Sequence, residues 1–482
     1  MGGISGSELE LELKKFLLTS SPNLQAMTIR PNSMSGEGKL LRETLELSPD
    51  GLEALISRCP LLKRLMLRNL VGIKQLNIEA HTLEWLDVEG AFEDVTLGVM
   101  NRLKNFRSRQ SSIPQLVFDS QCTKAKGVQP SLQENLAKII DKVLLLHTGP
   151  IRKFKLSHFE FSATSDIDHW ILHLSRVSVK EIVLDIWKGQ YYKIPTSLFN
   201  CQDLICLELY RCLVKIPLTF EGFKNLKILD LQTLELSPDG LEALISRCPL
   251  LKRLMLRNLV GIKQLNIEAH TLEWLDVEGA FEDVTLGVMN RLKSVVIDFS
   301  NDIANKPGPS NANSSNFHKF FQSLPEIQSL KLQNYSMKYL AIGNVPQTPP
   351  NELFHLKYLF TCIDFNSVEE ILTVMCLIRS SRQLKHIDFQ NRAKDQQATK
   401  IGTMADFRED HRACCLEQVQ VVSMGGIFGS ELELELIKFL LTSSPNLQKM
   451  TIRPNSTSGE GKLLRELLRF RRASVQAEVM FL

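Results

Sequence analysis

Two histidines, His169 and His173, have the spacing that places two imidazole rings on one face of a helix. Such a pair can supply two ligands to a zinc ion, but the zinc-protease motif of this spacing also needs a glutamate after the first histidine and a third ligand. Trp170 stands where that glutamate would be, and the surrounding sequence offers no third ligand. The pattern therefore favours an ordinary amphipathic helix, and we expect no metal.

The segment SGEGKLL occurs at Ser35 and again at Ser458 and has part of the pattern of a phosphate-binding loop. That motif, GxxxxGK[ST], needs a first glycine for the tight turn and a hydroxyl residue that holds magnesium. Here Ser33 stands in place of the glycine and Leu40 in place of the hydroxyl residue. The pattern indicates a turn before a helix, so we expect no nucleotide cofactor.

The chain's 10 cysteines are too sparse for a disulfide scaffold and indicate a reducing compartment, the cytoplasm or nucleus. Cys201, Cys206 and Cys212 lie close together without CxxC spacing, and Cys206 occupies a strand position where cysteine acts as a small apolar residue. No serine-nucleophile motif and no paired carboxylates with supporting motifs occur. We therefore expect no catalytic residue, no cofactor and no enzymatic activity.

Composition narrows the remaining classes of function. Lys and Arg number 57 against 54 Asp and Glu, so the net charge of +3 argues against a general nucleic-acid binder. A hydrophobic content of 44% excludes disorder as the overall state. No apolar stretch is long enough to cross a membrane, and the amino terminus lacks a secretion signal. A basic run, Arg465 to Arg472, is interpreted as a complement to a helix dipole or as a solvated face.

The chain contains two long internal copies. Residues 44–104 are identical to residues 233–293. Residues 1–43 match 424–466 except at positions 5, 14, 26 and 34. Repeats that stack diverge because each lies in a different environment, so identity of this extent indicates a recent duplication or a mis-joined gene product.

A shorter pattern, apolar-x-x-apolar-x-apolar, has diverged from copy to copy and recurs through the chain. It predicts short strands whose alternate side chains point inward, each followed by a helix or turn, as in an α/β leucine-rich-repeat solenoid of irregular unit length. Ser237 and Ser430 are predicted helix caps. The segment that starts at Leu356 fits this pattern less well. The pattern starts at Ile151, Val179, Leu204, Leu226, Leu251, Ile262, Leu272, Leu292, Ile327, Leu384, Leu416 and Leu447.

The end and the middle of the chain resemble one known family. From Leu416, the segments ELIKFLL, SPNLQKMTI and LLRFRRASVQAEVMFL resemble the FBD domain of plant F-box/FBD/leucine-rich-repeat proteins. SIPQLVFDSQC from Ser112 and KIPTSLFNCQDLICLELYRC from Lys193 are also similar to that family. The resemblance implies a leucine-rich-repeat body with a carboxyl-terminal FBD cap, acting as the substrate-recognition subunit of an SCF ubiquitin ligase.

The F-box that docks a Skp-type adaptor in this family has no counterpart in the sequence. Where its LPDEI-type helix is expected, residues 1–104 carry the two copied blocks. Adaptor docking is therefore doubtful, and the alternative functions are a non-ligase binder or decoy, or a rearranged product without function. The predicted domains are a partial FBD fragment (1–43), a copied repeat block (44–104), the solenoid (105–390), a linker (391–412) and the FBD domain (413–482).

The candidate binding surface is the outer face of the predicted strands. Residues between the inward leucines point away from the core. Among them are aromatic and arginine side chains, which are enriched at binding hot spots. We predict an unknown client protein as the partner, with neither nucleic acid nor membrane. The predicted protein-binding residues are Glu208, Tyr210, Asp230, Arg253, Arg257, Trp274 and Asp276.

Overall fold

The structure is a computed structural model whose chain divides into two compact units, Met1–Leu226 and Lys227–Leu482. The five predicted domains remain predictions. Within the described residues, no helix is long and apolar enough to cross a membrane. The structure describes residues 26–29, 52, 56, 59–68, 75–78, 80, 82–89, 94–97, 105–109, 115–119, 131–147, 150–162, 164–287, 289–300, 315–343, 352–392, 415–455 and 460–482.

The first unit is built from short parallel strands. Strands β1, β2, β4 and β6 form one sheet in that order, and β7, β8, β9 and β11 pair side by side. Two further parallel pairs are β3 with β5 and β10 with β12. Its helices are α1 (Ser131–Leu146) and α2 (Asp166–Leu174), with a short 3-10 helix at Thr196–Asn200. Its strands are β1 (Ala26–Ile29), β2 (Arg64–Arg68), β3 (Gln75–Ile78), β4 (Trp85–Glu89), β5 (Asp94–Leu97), β6 (Asn105–Arg109), β7 (Gln115–Asp119), β8 (Lys153–Ser162), β9 (Glu181–Lys188), β10 (Tyr192–Lys193), β11 (Cys206–Tyr210) and β12 (Cys212–Leu213).

The second unit continues the same plan. Strands β13, β14, β16 and β18 to β24 pair in parallel in that order, and β15 pairs with β17. Its strands are β13 (Ile228–Gln232), β14 (Arg253–Arg257), β15 (Gln264–Ile267), β16 (Trp274–Gly279), β17 (Asp283–Leu286), β18 (Ser294–Phe299), β19 (Ser329–Asn334), β20 (Tyr358–Ile363), β21 (His386–Asn391), β22 (Val421–Ile427), β23 (Lys449–Pro454) and β24 (Glu478–Phe481). Its helices are α3 (Pro238–Ser246), α4 (Asn316–Phe321), α5 (Ser336–Leu340), α6 (Val368–Arg379), α7 (Glu431–Ser443) and α8 (Glu460–Arg469).

The core follows from the alternation of side chains along each strand. On β13, Leu229 and Leu231 are fully buried, and the corresponding positions of the next strands are buried as well. Because neighbouring strands are in register, these side chains lie next to one another and form a continuous apolar row. The pattern of inward apolar residues that the sequence predicts is therefore confirmed.

Both predicted helix caps are present. Ser237 precedes α3, and its hydroxyl accepts a hydrogen bond from the Gly240 backbone N–H at 3.2 Å. Ser430 precedes α7 and forms a capping box with Glu433, whose carboxylate accepts the Ser430 backbone N–H at 2.8 Å. These contacts satisfy backbone donors that a helix leaves free at its start. The helix α7 ends at Ser443, before Pro445, a residue that cannot continue a helix.

The unit at Ile262 forms a strand with inward apolar residues, as its pattern predicts, but this strand does not join the sheet of its neighbours. Strand β14 pairs directly with β16, while the Ile262 unit forms β15, which pairs with β17 in a separate sheet. The physical reason is length, because its 10- to 11-residue spacing is too short for a complete turn of strand and return. The segment is instead part of the connection between β14 and β16, and its buried Leu265 and Ile267 contribute to the core from this connection.

The unit at Leu416 differs from the predicted register, whereas the unit at Leu356 keeps it. The unit at Leu416 begins its strand only at Val421, so the inward residues are Val419, Val422 and Met424. Its sequence LEQVQVVSM fits the apolar pattern in two registers three residues apart, and pairing with β21 selects the second. The weaker unit at Leu356 is a full member of the sheet, with Thr361 fully buried in place of a leucine.

Where the structure describes both copies of the identical block, they form the same strands. Strands β2 to β5 correspond to β14 to β17, with β16 extended by one residue to Gly279, and Arg64 pairs with Trp85 as Arg253 pairs with Trp274. Strand β1, which comes from the copied 1–43 fragment, pairs with β2. Local sequence thus determines the same strand order in both units, although the flanking strands differ.

Candidate interaction surface

The residues with possible catalytic chemistry are parts of the core or of a helix surface. His169 and His173 lie on α2, and burial lowers the pKa of His173. Among the residues that the structure describes, no three His, Cys, Asp or Glu side chains are placed to hold a metal ion. The two SGEGKLL segments begin outside the described residues, so the absence of a nucleotide there stays a prediction.

The clustered cysteines of the first unit are buried and protonated at neutral pH. Burial raises the pKa of the thiols of Cys201, Cys206 and Cys212 to about 12 in each case. The Glu208 carboxylate contributes further to the shift at Cys206. Because the thiolate is the reactive species, a thiol with so high a pKa is a poor nucleophile and a poor metal ligand.

In the second unit, the predicted surface residues occupy adjacent register positions on β13, β14 and β16. Asp230 pairs with Met255, which pairs with Asp276, and the next row contains Arg257 beside Glu278. Two of the carboxylates differ from the expectation of exposure, because Asp230 and Asp276 are only 4% and 5% exposed. Neighbouring side chains cover both of them.

Arg257 covers Asp276 and holds the centre of this face together. Its Nη2 lies 2.5 Å from the Asp276 carboxylate, and its Nε lies 3.8 Å from Glu278. The hydrogen bond to Asp276 raises the pKa of Arg257. On the neighbouring strand β18, burial raises the pKa of Asp298, and the charges of Glu278 and Asp276 add to that shift. The region is therefore rich in carboxylates and has Arg257 as its central cation.

Trp274 lies on the same face, half-exposed, with an arginine over its ring. The guanidinium carbon of Arg253 is 5.1 Å from the Trp274 ring centroid, a cation–π distance. Arg253 itself is exposed. A tryptophan held by an arginine in this way presents a large, rigid contact area with little entropy left to lose on binding.

The remaining predicted residues belong to the first unit. Glu208 and Tyr210 lie two residues apart on β11, both half-buried, with the Tyr210 hydroxyl 3.4 Å from the Glu208 carboxylate. On the neighbouring strand β9, Glu181 pairs with Lys153 of β8 at 3.0 Å. The first unit therefore has a polar strand face of its own, of the same kind as the face in the second unit.

Further along the second unit, the same strand positions contain residues that the sequence pattern alone did not single out. On β19 and β20, the Nζ of Lys331 lies 5.7 Å from the Tyr358 ring centroid. Beyond them, Arg453 donates a hydrogen bond to the Ser423 hydroxyl at 3.1 Å. Counting outward positions in every strand, including the weak unit at Leu356, would have found these residues.

The pKa of Asp388 on β21 permits a test of the charge environment on the outer strand face of the second unit. Burial raises the pKa of Asp388, against the opposing effects of Ser423, Arg453 and Lys331. The folded protein therefore binds this proton more tightly than the unfolded chain. The contribution of Asp388 to the free energy of unfolding consequently falls as pH rises from the unfolded pKa to the folded one. Asp388→Asn is expected to gain stability relative to wild type between about pH 4, near the pKa of an unfolded-chain aspartate, and about pH 7.5.

The measurement is the thermal unfolding midpoint of both proteins at the two pH values. Glu417→Gln removes a charge from an exposed position and serves as the control. An Asp388→Asn variant whose midpoint difference from wild type is unchanged between the two pH values would contradict the expected direction of this effect.

The parallel strands, their inward apolar row and their helical returns define a leucine-rich-repeat protein. Residues 167–386 match the family model described as FBD-associated F-box protein At5g56370, LRR repeats. F-box/FBD/LRR-repeat protein At1g13570 from Arabidopsis thaliana is 33% identical over 382 residues, 78% of this chain and 91% of that protein. F-box/FBD/LRR-repeat protein At3g26920 from the same plant is 25% identical, over 57% of this chain and 65% of that protein.

The chain therefore belongs to the F-box/FBD/leucine-rich-repeat family of plants. The resemblance found in the sequence is confirmed, and so is the mixed α/β leucine-rich-repeat character of the fold. Membership indicates an F-box-type role in protein interaction.

Proposed function

We propose that this protein is an interaction module that resembles the substrate-recognition subunit of an SCF ubiquitin ligase and binds a client protein through the outer strand face. The observation that supports this proposal most directly is the contact of the exposed Arg253 with the half-buried Trp274, beside the Arg257–Asp276 ion pair, on adjacent parallel strands. Exposed aromatic and arginine side chains on a rigid sheet are the composition of a binding hot spot.

The finer architecture is part of the proposal. We infer that the repeat strands coil as an irregular leucine-rich-repeat solenoid and that residues 413–482 form its FBD cap. This cap would comprise β22, α7, β23, α8 and β24. The high pKa of the buried thiols and the absence of a catalytic motif favour binding over catalysis. The proposed location is the cytoplasm or nucleus, in keeping with the buried, reduced thiols of Cys201, Cys206 and Cys212.

We further propose that these 482 residues do not dock a Skp-type adaptor. The adaptor is expected for the family, but residues 1–104 consist of copies of the chain's own end and middle. A protein that binds the client without the adaptor would act as a decoy, which is the second candidate function and is favoured by the same copied residues.

The experiment compares the wild-type full chain with a variant in which Arg253 and Trp274 are both replaced by alanine. Each chain is cross-linked in plant extract, and the attached proteins are quantified by mass spectrometry. We expect a client whose recovery falls at least tenfold with the double variant, since hot-spot truncations cost about 2 kcal/mol or more. Purified Skp-type adaptor is also mixed with the wild-type chain and analysed by gel filtration, with no complex expected.

The matched control replaces the exposed Leu172 of α2 and the exposed Arg176 just after it by alanine, and client recovery should remain at the wild-type level. If no attached protein depends on Arg253 and Trp274, the proposed client surface is wrong. A stoichiometric adaptor complex would refute the decoy and establish adaptor docking instead.

A further inference from the structure

Helix α8 has two leucine stripes, of which only one is needed for packing. Leu463 and Leu467 are 5% and 3% exposed and form its buried stripe. The adjacent Leu464 and Leu468 are 41% and 70% exposed. Residues four positions apart lie on one face of a helix, so each pair forms a short continuous stripe. The second stripe is an apolar surface that faces solvent.

The exposed stripe lies in a segment rich in positive charge. Arg465, Arg469, Arg471 and Arg472 are all exposed, and Glu466 is the one acidic residue between positions 465 and 472. Glu466 is paired with Arg469 at 2.8 Å, so three arginine charges in this segment are not balanced by it. The whole chain has a net charge of only +3. The segment therefore concentrates positive charge around an apolar centre.

The segment that follows α8 is held firmly in place. The Ala473 backbone N–H donates to the Leu441 carbonyl at 2.9 Å. The Ser474 hydroxyl donates to the Leu447 carbonyl at 2.7 Å. Arg472 also donates to the Ala477 carbonyl at 3.2 Å. Because α7 and the turn before β23 anchor this backbone, the arginines at the end of α8 are presented on a rigid support, which lowers the entropy lost on binding.

We propose that Leu464, Leu468 and the surrounding arginines form a docking surface for an acidic segment of another protein that carries leucine-like side chains. Aliphatic side chains of the partner would cover Leu464 and Leu468, and its carboxylates would pair with Arg465 and Arg471. Arginine suits this role because its planar guanidinium can bind a carboxylate through two hydrogen bonds. The surface is small, so the affinity should be in the micromolar range. This site is separate from the strand face of the proposed function.

The test uses the full-length chain and a fluorescein-labelled peptide with the repeating sequence Leu-Leu-Glu-Glu, measured by fluorescence anisotropy. We expect saturable binding that weakens when NaCl is raised from about 50 to about 300 mM, since salt screens exposed charges. Arg465→Gln with Arg471→Gln should raise the Kd at least tenfold. Leu464→Gln with Leu468→Gln should have a similar effect, and a Leu-Leu-Gln-Gln peptide should not bind.

The control variants change the same residue types elsewhere in the second unit. Leu250→Gln and Arg382→Gln replace exposed side chains and should leave the Kd unchanged. Circular dichroism verifies that every variant is folded. The proposal is overturned by absence of peptide binding to the wild-type chain, or by an equal loss in the control variants.

Two other occupants are distinguished in the same experiment. Vesicles of phosphatidylcholine and phosphatidylserine, in a molar ratio of about 3:1, test whether the arginines bind an anionic membrane instead. Sedimentation with vesicles that depends on Leu468, without peptide binding, would replace the proposal by a membrane surface. Self-association that is lost in the Leu464→Gln, Leu468→Gln variant, without peptide binding, would replace it by a second copy of the chain.

Discussion

Leu229→Asp is expected to lower the free energy of unfolding of the second unit by on the order of 5 kcal/mol and to remove most of the soluble protein. Leu229 is fully buried on β13 and lies in register with Leu254, which is also fully buried. An aspartate there would bury a carboxylate among leucines without a partner, so it would become protonated or force the strand apart.

The matched control for this prediction is the next residue, Asp230→Ala. Asp230 lies on the opposite face of the strand and accepts a hydrogen bond from the Gln232 side chain at 3.1 Å. The expected change in the free energy of unfolding is about 1 kcal/mol, the net value of such a bond. Both variants are compared by soluble yield and by urea unfolding followed through tryptophan fluorescence. Equal yields would mean that Leu229 is not part of the inward row.

Much of the second unit can be predicted from sequence because its signals are local. Alternation of apolar residues places Leu229 and Leu231 on one side of β13, and a serine followed by a glutamate three residues later starts α7 at Ser430. Both patterns involve only residues within one strand or one helical turn. The alternation of side chains along a strand and the free backbone N–H groups at a helix start are local properties, so a short stretch of sequence is enough to predict them.

What the sequence could not supply is the pairing of strands distant in the chain. The Ile262 unit has the same local pattern as the units on either side, and only its pairing with β17 assigns it to a second sheet. The Leu416 unit is ambiguous for the same reason, because pairing with β21 decides its register. Register depends on neighbours and on burial of one face, which a local pattern does not contain.

The candidate surface was predictable to a similar extent. Outward positions follow from alternation, so Arg253 and Trp274 were found. The burial of Asp276 was not, because it depends on Arg257 reaching across from the neighbouring strand. The exposed leucines of α8 were also missed, because a local pattern of paired leucines does not indicate which stripe faces the core.

In the second unit, a buried ion pair joins the residue after β21 to α6, the helix that follows β20. Arg392, which follows β21, places Nη2 2.5 Å from the Glu370 carboxylate of α6, with side chains 12% and 2% exposed. Its Nη1 donates to the Asn334 carbonyl at 2.9 Å, and its guanidinium carbon lies 4.7 Å from the Tyr335 ring centroid. Glu370 also accepts the Asp364 backbone N–H at 3.0 Å. These contacts connect the ends of β19, β20 and β21.

Arg392→Met is expected to reduce the free energy of unfolding at neutral pH by about 3–5 kcal/mol, because it leaves the Glu370 carboxylate buried without its cation. Burial already raises the pKa of Glu370, and Arg392 opposes that shift. The pKa should therefore rise further in the variant. Because the folded state then binds the proton more tightly, the free energy of unfolding falls as pH rises from about 4.3 towards that folded pKa. Arg392→Met should consequently recover part of its stability on acidification.

Urea unfolding at about pH 5 and pH 7.5 measures the loss and its partial recovery. Arg382→Met removes an exposed arginine 3.5 Å from Glu352 and should cost less than about 1 kcal/mol at both pH values. The double variant Arg392→Met, Glu370→Met removes both buried charges and should regain much of the stability, because two apolar side chains of similar volume can replace a buried pair. If the double variant is as unstable as Arg392→Met alone, then loss of packing against Tyr335, rather than an unpaired charge, causes the destabilisation.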